Sequence, residues 1–332
     1  MKQIFLSKML KNNLIKNAIF KALYLPGVNS VYRKIYRRNI IKKLDNFKLA
    51  NLTVSVEPSN FCNSRCAMCP YPKMVRPKKV MGMELFKKIV DDCFSEGIRN
   101  FNLNFYNEPF LDPLLFERVK YMKSKGLKVS FFSNASVLNE SMHEKIFESG
   151  IDTISFSVDG AKKETYEKIR IGLDFDKTVR NVLSLLEAKN ERGLKKPKIR
   201  VVFVKQKLNE NELEEYKKFW SDKVGSIVIS TDDNRNENSK YFKSVAGKKP
   251  FPCKQIWTEI IAMSNGKVAL CCVDADGSVT LGDFNKQTLK EIWESDKFRK
   301  IRKLHLNYEA DKIPLCKNCL HSYRMNLKSW WR

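Results

Sequence analysis

Three of the nine cysteines in this 332-residue chain fall within eight residues, Cys62, Cys66 and Cys69, spaced C-x3-C-x2-C. Thiolates are soft donors, and three on one tight loop can hold three corners of an iron–sulfur cubane. No fourth cysteine lies close by, so one iron would keep an open position for another ligand. A structural zinc loop is the competing use, but structural zinc takes four closed ligands, usually as paired C-x2-C or Cys/His knuckles. The spacing therefore favours an open iron–sulfur site. A second set lies far along the chain: Cys253, Cys271 or Cys272, Cys316 and Cys319. By spacing alone that set reads as a zinc ribbon. Cys93, in a helical pattern, reads as a core residue.

The cysteines need elements to position them. From Leu52 the chain alternates short apolar strands with helical stretches. The strands expected are Leu52–Glu57, Asn100–Phe105, Lys128–Ser133, Thr153–Ser157, Lys198–Val204 and Gly225–Ser230. Helical patterns lie between them, over 83–95, 113–125, 139–149, 177–192 and 211–220. Strands alternating with helices predict parallel βα units. Six such units fit an incomplete barrel better than a closed eightfold one. Ligands of parallel folds sit at the carboxyl ends of the strands, and Cys62, Cys66 and Cys69 follow the first strand. The polar run Thr231–Asn238 reads as a boundary. Beyond it, Val268–Leu270 reads as a strand after the Asn265-Gly266 turn. Val279–Leu281 is its expected hairpin partner, and a helix starts at Leu289 and leads through Phe298 and Ile301.

C-x3-C-x2-C after a first strand resembles the radical S-adenosylmethionine (radical SAM) superfamily. In that family the open iron is chelated by the amino and carboxylate groups of SAM. The residue before the third cysteine is usually aromatic there; here it is Met68. Further motifs follow in family order. Tyr106-Asn107-Glu108-Pro109 resembles the Gly-Gly-Glu-Pro turn that touches the SAM ammonium, with both glycines replaced. Ser133 and Asn134 resemble the polar pair at the SAM ribose. Ser157-Val158-Asp159-Gly160 resembles the family's Ser-x-Asp-Gly turn, and Ser157 and Arg170 match positions at the SAM carboxylate. The second cysteine set resembles the twitch form of the SPASM domain. By that resemblance Cys253, Cys271, Cys316 and Cys319 ligate one auxiliary [4Fe–4S] cluster, with Cys271 chosen by its Gly-x4-Cys spacing.

The resemblance implies an α/β fold, a partial (β/α)6 TIM-like barrel with a small C-terminal hairpin-plus-helix iron–sulfur domain. The expected divisions are 1–50, 51–235 and 236–332. It also implies two [4Fe–4S] clusters and SAM, which is cleaved to a 5′-deoxyadenosyl radical that abstracts a hydrogen atom from substrate. Family relatives make a sugar-like or aminocyclitol-like substrate the first expectation, with dehydrogenation, dehydration or epimerisation as outcomes. A peptide-modifying maturase is the alternative. A flavodoxin- or ferredoxin-type reductant is implied. Cys272 adjoins Cys271 on a strand, where neighbours point to opposite faces. The auxiliary domain's own core is its first expected place; if it faces the cavity instead, it is a candidate hydrogen donor.

The net charge of +25 has a separate source in part. From Met1 to Leu44 there are eight lysines, three arginines and no acid. Residues 3–24 carry apolar side chains at helical spacing up to Leu25-Pro26-Gly27, and a basic stretch, Val31–Leu44, follows. Two readings stand: helices packed on the main domain, or attachment of residues 1–44 to an anionic membrane surface. No apolar run approaches the roughly 18 residues of a membrane span. No secretory cleavage pattern ends the first 25 residues. Unpaired cysteine usage fits a reducing cytoplasm, with or without peripheral attachment at the inner membrane face. A non-catalytic iron–sulfur or zinc protein that binds nucleic acid is the alternative of another class. The ordered SAM-site motifs favour the enzyme, and nucleic acid is not expected as a partner.

Overall fold

The structure is a computed structural model and describes residues 26–44, 47–231, 252–317 and Cys319. The helix expected over 3–24 and the boundary loop after Thr231 lie outside the described residues. The chain divides into two compact units, Met1–Lys48 with Asn326–Arg332, and Leu49–Met325. In the first, helix α1 (Pro26–Leu44) carries six basic residues and no acid. Val28, Val31 and Ile35 stand exposed on it at helical spacing.

The second unit is built on one nine-stranded sheet. Its strands are β1 (Thr53–Val56), β2 (Asn100–Asn102), β3 (Lys128–Ser133), β4 (Thr153–Ser157), β5 (Lys198–Lys205), β6 (Ser226–Thr231), β7 (Glu259–Ala262), β8 (Lys267–Ala269) and β9 (Gly282–Asp283). The spatial order is β6-β5-β4-β3-β2-β1-β7-β8-β9. Strands β1 to β7 are parallel, and β8 and β9 are antiparallel additions. The expected α/β partial barrel is thus present. Helices α2 (Met83–Ser95), α3 (Leu115–Ser124), α4 (His143–Ser149), α5 (Lys163–Ile169), α6 (Phe175–Glu191) and α7 (Leu213–Trp220) connect the parallel strands. Helix α2 shows why such segments form: Phe86, Ile89, Val90 and Cys93 recur at helical spacing and are all buried. Cys93 is a core residue, as expected.

Alternation along the strands separates two faces. Val54, Phe101, Val129, Phe131, Ile154, Ile199 and Val201 are buried. On the other parity Ser55 pairs in register with Asn102 and with Ile261, and Asn102 with Ser130. The barrel therefore turns a largely polar face inward.

Three differences from the sequence expectations have local causes. Strand β2 stops at Asn102 because the Asn104 side chain takes over pairing with Phe132, donating to its carbonyl at 2.9 Å and accepting its N–H. Val279–Leu281 is not the hairpin strand. Buried Asp274 accepts bonds from Leu270 N–H, Ser278 N–H and Oγ, and Val279 N–H, which folds that segment into a loop and delays β9 to Gly282. Strand β8 pairs antiparallel with β9 and, on its other side, with β7, through the turn in which Gly266 takes φ +84°. Helix α8 (Gln255–Thr258) precedes β7. The last helical run is two helices, α9 (Leu289–Glu294) and α10 (Asp296–Leu306). A Thr288–Glu291 capping box starts α9, and Ser295 caps α10 through Phe298 N–H.

Candidate active site

The cysteine loop leaves the carboxyl end of β1 and is held from several sides. Arg65 N–H donates to Ile171 O and Ala67 N–H to Ile169 O, both at 2.8 Å, so the loop lies against the end of α5. Cys62 N–H donates to the Tyr71 hydroxyl at 2.8 Å. Ser64 Oγ stands 3.1 Å from Cys66 Sγ and 3.5 Å from Cys62 Sγ. Met68 is buried beside Cys66 and Ile169, with Cys69 and Val204 packed against them. Burial pushes the Cys62 thiol up, and the Ser64 bonds oppose this.

The other sequence-selected residues converge on the same place. Glu108 is buried at the start of a short turn, where its carboxylate accepts Ser133 Oγ at 2.8 Å, Asn134 N–H at 2.7 Å and Phe110 N–H at 3.2 Å. Burial still pushes its carboxyl up to about 7, against these donors and the Arg170 charge. Asn134 donates to Asn63 Oδ1 at 3.0 Å, which ties the end of β3 to the cysteine loop. Arg170 is paired with buried Asp159, at 2.7 Å through Nε and 2.6 Å through Nη2, and its Nη1 lies 3.4 Å from Cys66 Sγ. Burial opposes this charge, but Asp159 and Cys66 outweigh it and hold the guanidinium above its ordinary range. Asp159 is itself fixed by Val204 N–H at 2.7 Å. Gly160 is required beside it, since a Cβ there would meet the Tyr166 backbone N at 3.0 Å.

These groups face one cavity of about 680 Å³. Cys62, Cys66, Cys69, Glu108, Ser133, Asn134, Ser157 and Arg170 all line it. Cys272 lines it too, while also packing against Ile261, Met263, Ala269 and Phe105. The core was its first expected place; the structure gives it a place on the cavity wall as well. Its thiol is 3.2 Å from the Gln255 amide nitrogen.

The second cysteine set, Cys253, Cys271, Cys316 and Cys319, does not line this cavity; Cys316 is buried and the others are half-buried. Burial pushes the Cys253 thiol up to about 12 and raises Cys271 and Cys316 as well. Each of these thiols also feels the charge of Cys319. Cys271 and Cys272 both stand within electrostatic reach of Cys253. No three or more His, Cys, Asp or Glu side chains among the described residues close around a single ion.

A family model described as the radical SAM superfamily matches residues 56–219, and one described as an iron–sulfur cluster-binding SPASM domain matches 253–320. The chain belongs to the radical SAM superfamily and carries a C-terminal SPASM domain. It is 28% identical over 170 residues to a tungsten-containing aldehyde ferredoxin oxidoreductase cofactor-modifying protein of Pyrococcus furiosus, covering 49% of this chain and 46% of that one. It is 26% identical over 176 residues to a GTP 3′,8-cyclase of Clostridium botulinum, covering 51% of this chain and 52% of that one. The chain spans about half the length of the curated relatives it matches. Among solved structures, BtrN in complex with AdoMet and 2-DOIA is similar at TM-score 0.52 and 19% identity, over 80% of this chain and 92% of that one. Streptococcus suis SuiB bound to precursor peptide SuiA is similar at TM-score 0.64 and 14% identity, over 89% and 79%. These likenesses are of fold.

A radical SAM chain with a SPASM domain uses SAM and two [4Fe–4S] clusters, and both donor sets fit. The first offers three thiols and an open side toward the cavity; the second offers four thiols away from it. Three further residues support these sites, and of them only Tyr106 was singled out from the sequence, as a replaced glycine. His305 accepts the Cys253 N–H at Nδ1, 3.2 Å, and its Nε2 is 3.6 Å from Cys316 Sγ. Burial pushes this imidazole down to about 4, so it is neutral. Glu57, at the end of β1, grips Arg76 at 2.7 and 2.8 Å and accepts N–H bonds from Tyr106 and Ser264. Arg76 reaches on to the Ala275 carbonyl. Tyr106, in place of a family glycine, donates to the Cys272 carbonyl at 2.8 Å. Glu57 and Tyr106 thus fasten the SPASM segment to the barrel mouth. No helix among the described residues is long and apolar enough to cross a membrane.

Proposed function

We propose that this radical SAM enzyme acts on a sugar-like or aminocyclitol-like substrate and inverts a carbon centre, with Cys272 as the hydrogen donor. In this reading residues 51–235 are the catalytic barrel and 236–332 the auxiliary-cluster domain. Bound SAM and its reduced cluster together supply the 5′-deoxyadenosyl radical that removes a hydrogen atom. Cys62, Cys66 and Cys69 hold that cluster. Glu108 receives the SAM ammonium, Ser157 and Arg170 its carboxylate, and Ser133 and Asn134 its ribose. Cys253, Cys271, Cys316 and Cys319 hold the auxiliary cluster.

The observation that carries the reading is that Cys272 and the first cysteine loop line one cavity. A substrate there has one wall from which hydrogen is taken and another that presents an S–H. The Cys272 S–H bond breaks, its hydrogen atom goes to the substrate carbon, and sulfur keeps the odd electron. One electron from a flavodoxin- or ferredoxin-type reductant and one proton from solvent restore the thiol. Incubating the reconstituted chain with SAM and candidate glycosides in deuterated water tests this. The native chain should place deuterium on the inverted carbon, and Cys272→Ala should form deoxyadenosine without the epimer. Undiminished epimer from the variant removes the donor role. A product two hydrogens lighter replaces inversion by dehydrogenation.

The exposed apolar stripe among the basic residues of α1 supports peripheral attachment of residues 1–44 to anionic lipid. A chain starting at Leu49 should lose salt-sensitive binding to phosphatidylserine vesicles; equal binding by both forms excludes this role.

A further inference from the structure

Among the described residues, the buried carboxylates of this fold have matched partners, and half-buried Glu259 on the cavity wall has fewer. Glu57 has Arg76, Asp112 has Arg118 and Asp159 has Arg170. Glu108 and Asp274 accept several N–H and O–H bonds, and Glu212 accepts two backbone N–H groups. Glu259 has only the Ser55 hydroxyl, 2.9 Å from its Oε1. No lysine or arginine among the described residues pairs with it. It stands on β7, two residues before Ile261 and on the same face, and its side chain lines the cavity. Burial holds its carboxyl above the ordinary range. A carboxylate taken out of water without a cation is costly, and that cost is removed when a cationic ligand arrives.

We infer that Glu259 is a specificity residue that binds a positively charged amine of the substrate. The inference rests on the reading of the cavity as the substrate site and narrows its substrate to an aminated one. Ser55 fixes one carboxylate oxygen, and the other remains for an ammonium group. Asn102, level with Ser55 in the sheet and lining the same cavity, has its carbonyl oxygen occupied by Ser130 Oγ. Its amide N–H groups are donors for a neighbouring substrate hydroxyl. Glu259 opens β7, while Cys272 packs against the cluster of Ile261, Met263 and Ala269 toward that strand's carboxyl end.

The test is a calorimetric titration of the full reconstituted chain, with SAM present, using scyllo-inosamine and scyllo-inositol. These differ by one ammonium in place of one hydroxyl. A charge-assisted bond predicts roughly tenfold or greater preference for the amine. Glu259→Gln should abolish that preference while leaving iron content and SAM binding unchanged, and Glu259→Asp should restore part of it. Nα-acetyl-lysine amide is the third probe. Tighter binding of that probe, lost in Glu259→Gln, upholds the ammonium site and moves its source to a peptide side chain. Equal binding of amine and alcohol, binding of none of the probes, or an unchanged preference in Glu259→Gln overturns the inference. Failure of the native chain to cleave SAM overturns instead the reading on which it rests.

Discussion

The two cysteine sites differ in what surrounds the sulfur. The first loop is polar and half open. Ser64 and Arg170 touch its thiols, Tyr71 holds its backbone, and one side faces the cavity. The second lies off that cavity, with a neutral His305 between Cys253 and Cys316 and thiols raised by burial. Open surroundings with charged neighbours suit a cluster that must accept a charged ligand. A set away from the cavity suits a cluster whose irons are all satisfied by protein. Environment as well as ligand count thus distinguishes two sites built from the same residue type.

The largest expected effect separates the sites by function. Replacing Cys62, Cys66 and Cys69 together by Ala should halve the iron content and abolish deoxyadenosine formation. Replacing Cys253, Cys316 and Cys319 should halve the iron and spare SAM binding. Loss of SAM binding in both variants breaks the division between an open and a closed site. One zinc and no iron at the second set would break it equally.

A smaller effect is expected from His305→Ala. It removes the acceptor of the Cys253 N–H and the neighbour of Cys316 Sγ without touching the first loop. Supporting groups of this kind are worth roughly 10–100-fold in metal affinity. The auxiliary cluster should therefore lose iron to a chelator faster by about that factor, while the SAM-binding cluster keeps its rate. Equal acceleration at both sites would show a general loosening of the fold.

The mildest test concerns Glu108. Folding raises its carboxyl to about 7, so the neutral form is favoured below that point and the carboxylate above it. An ammonium ligand binds the carboxylate, so SAM affinity should strengthen as pH rises through about 7. Below that point the affinity should fall by up to about tenfold per pH unit, as one bound proton requires. Glu108→Gln should bind SAM more weakly and flatten this dependence in equilibrium dialysis. An unchanged slope assigns the pH response to another group.

Local chemistry was legible in the sequence wherever cause and effect lie close together. The C-x3-C-x2-C loop and the βα alternation follow from spacing and periodicity, and the polar residues closing successive strands from the family resemblance those patterns carry. Strands β3 and β4 and helix α2 run over the expected residues because their apolar patterns and flanking turns agree. The interaction of distant segments was decided only in three dimensions. Strand β7 joins β1 across some 200 residues of chain, so the SPASM segment extends the barrel sheet; no local pattern encodes that pairing. His305 sits on a basic helix, where a lone histidine has no spacing signal toward Cys253 or Cys316. Glu259 lies in a stretch where no strand was expected, and Tyr106 reads as a lost glycine. Their roles arise because packing brings one to the cavity wall and the other to the Cys272 carbonyl. Residue type sets what a side chain can do, while burial and long-range contacts decide which groups meet it.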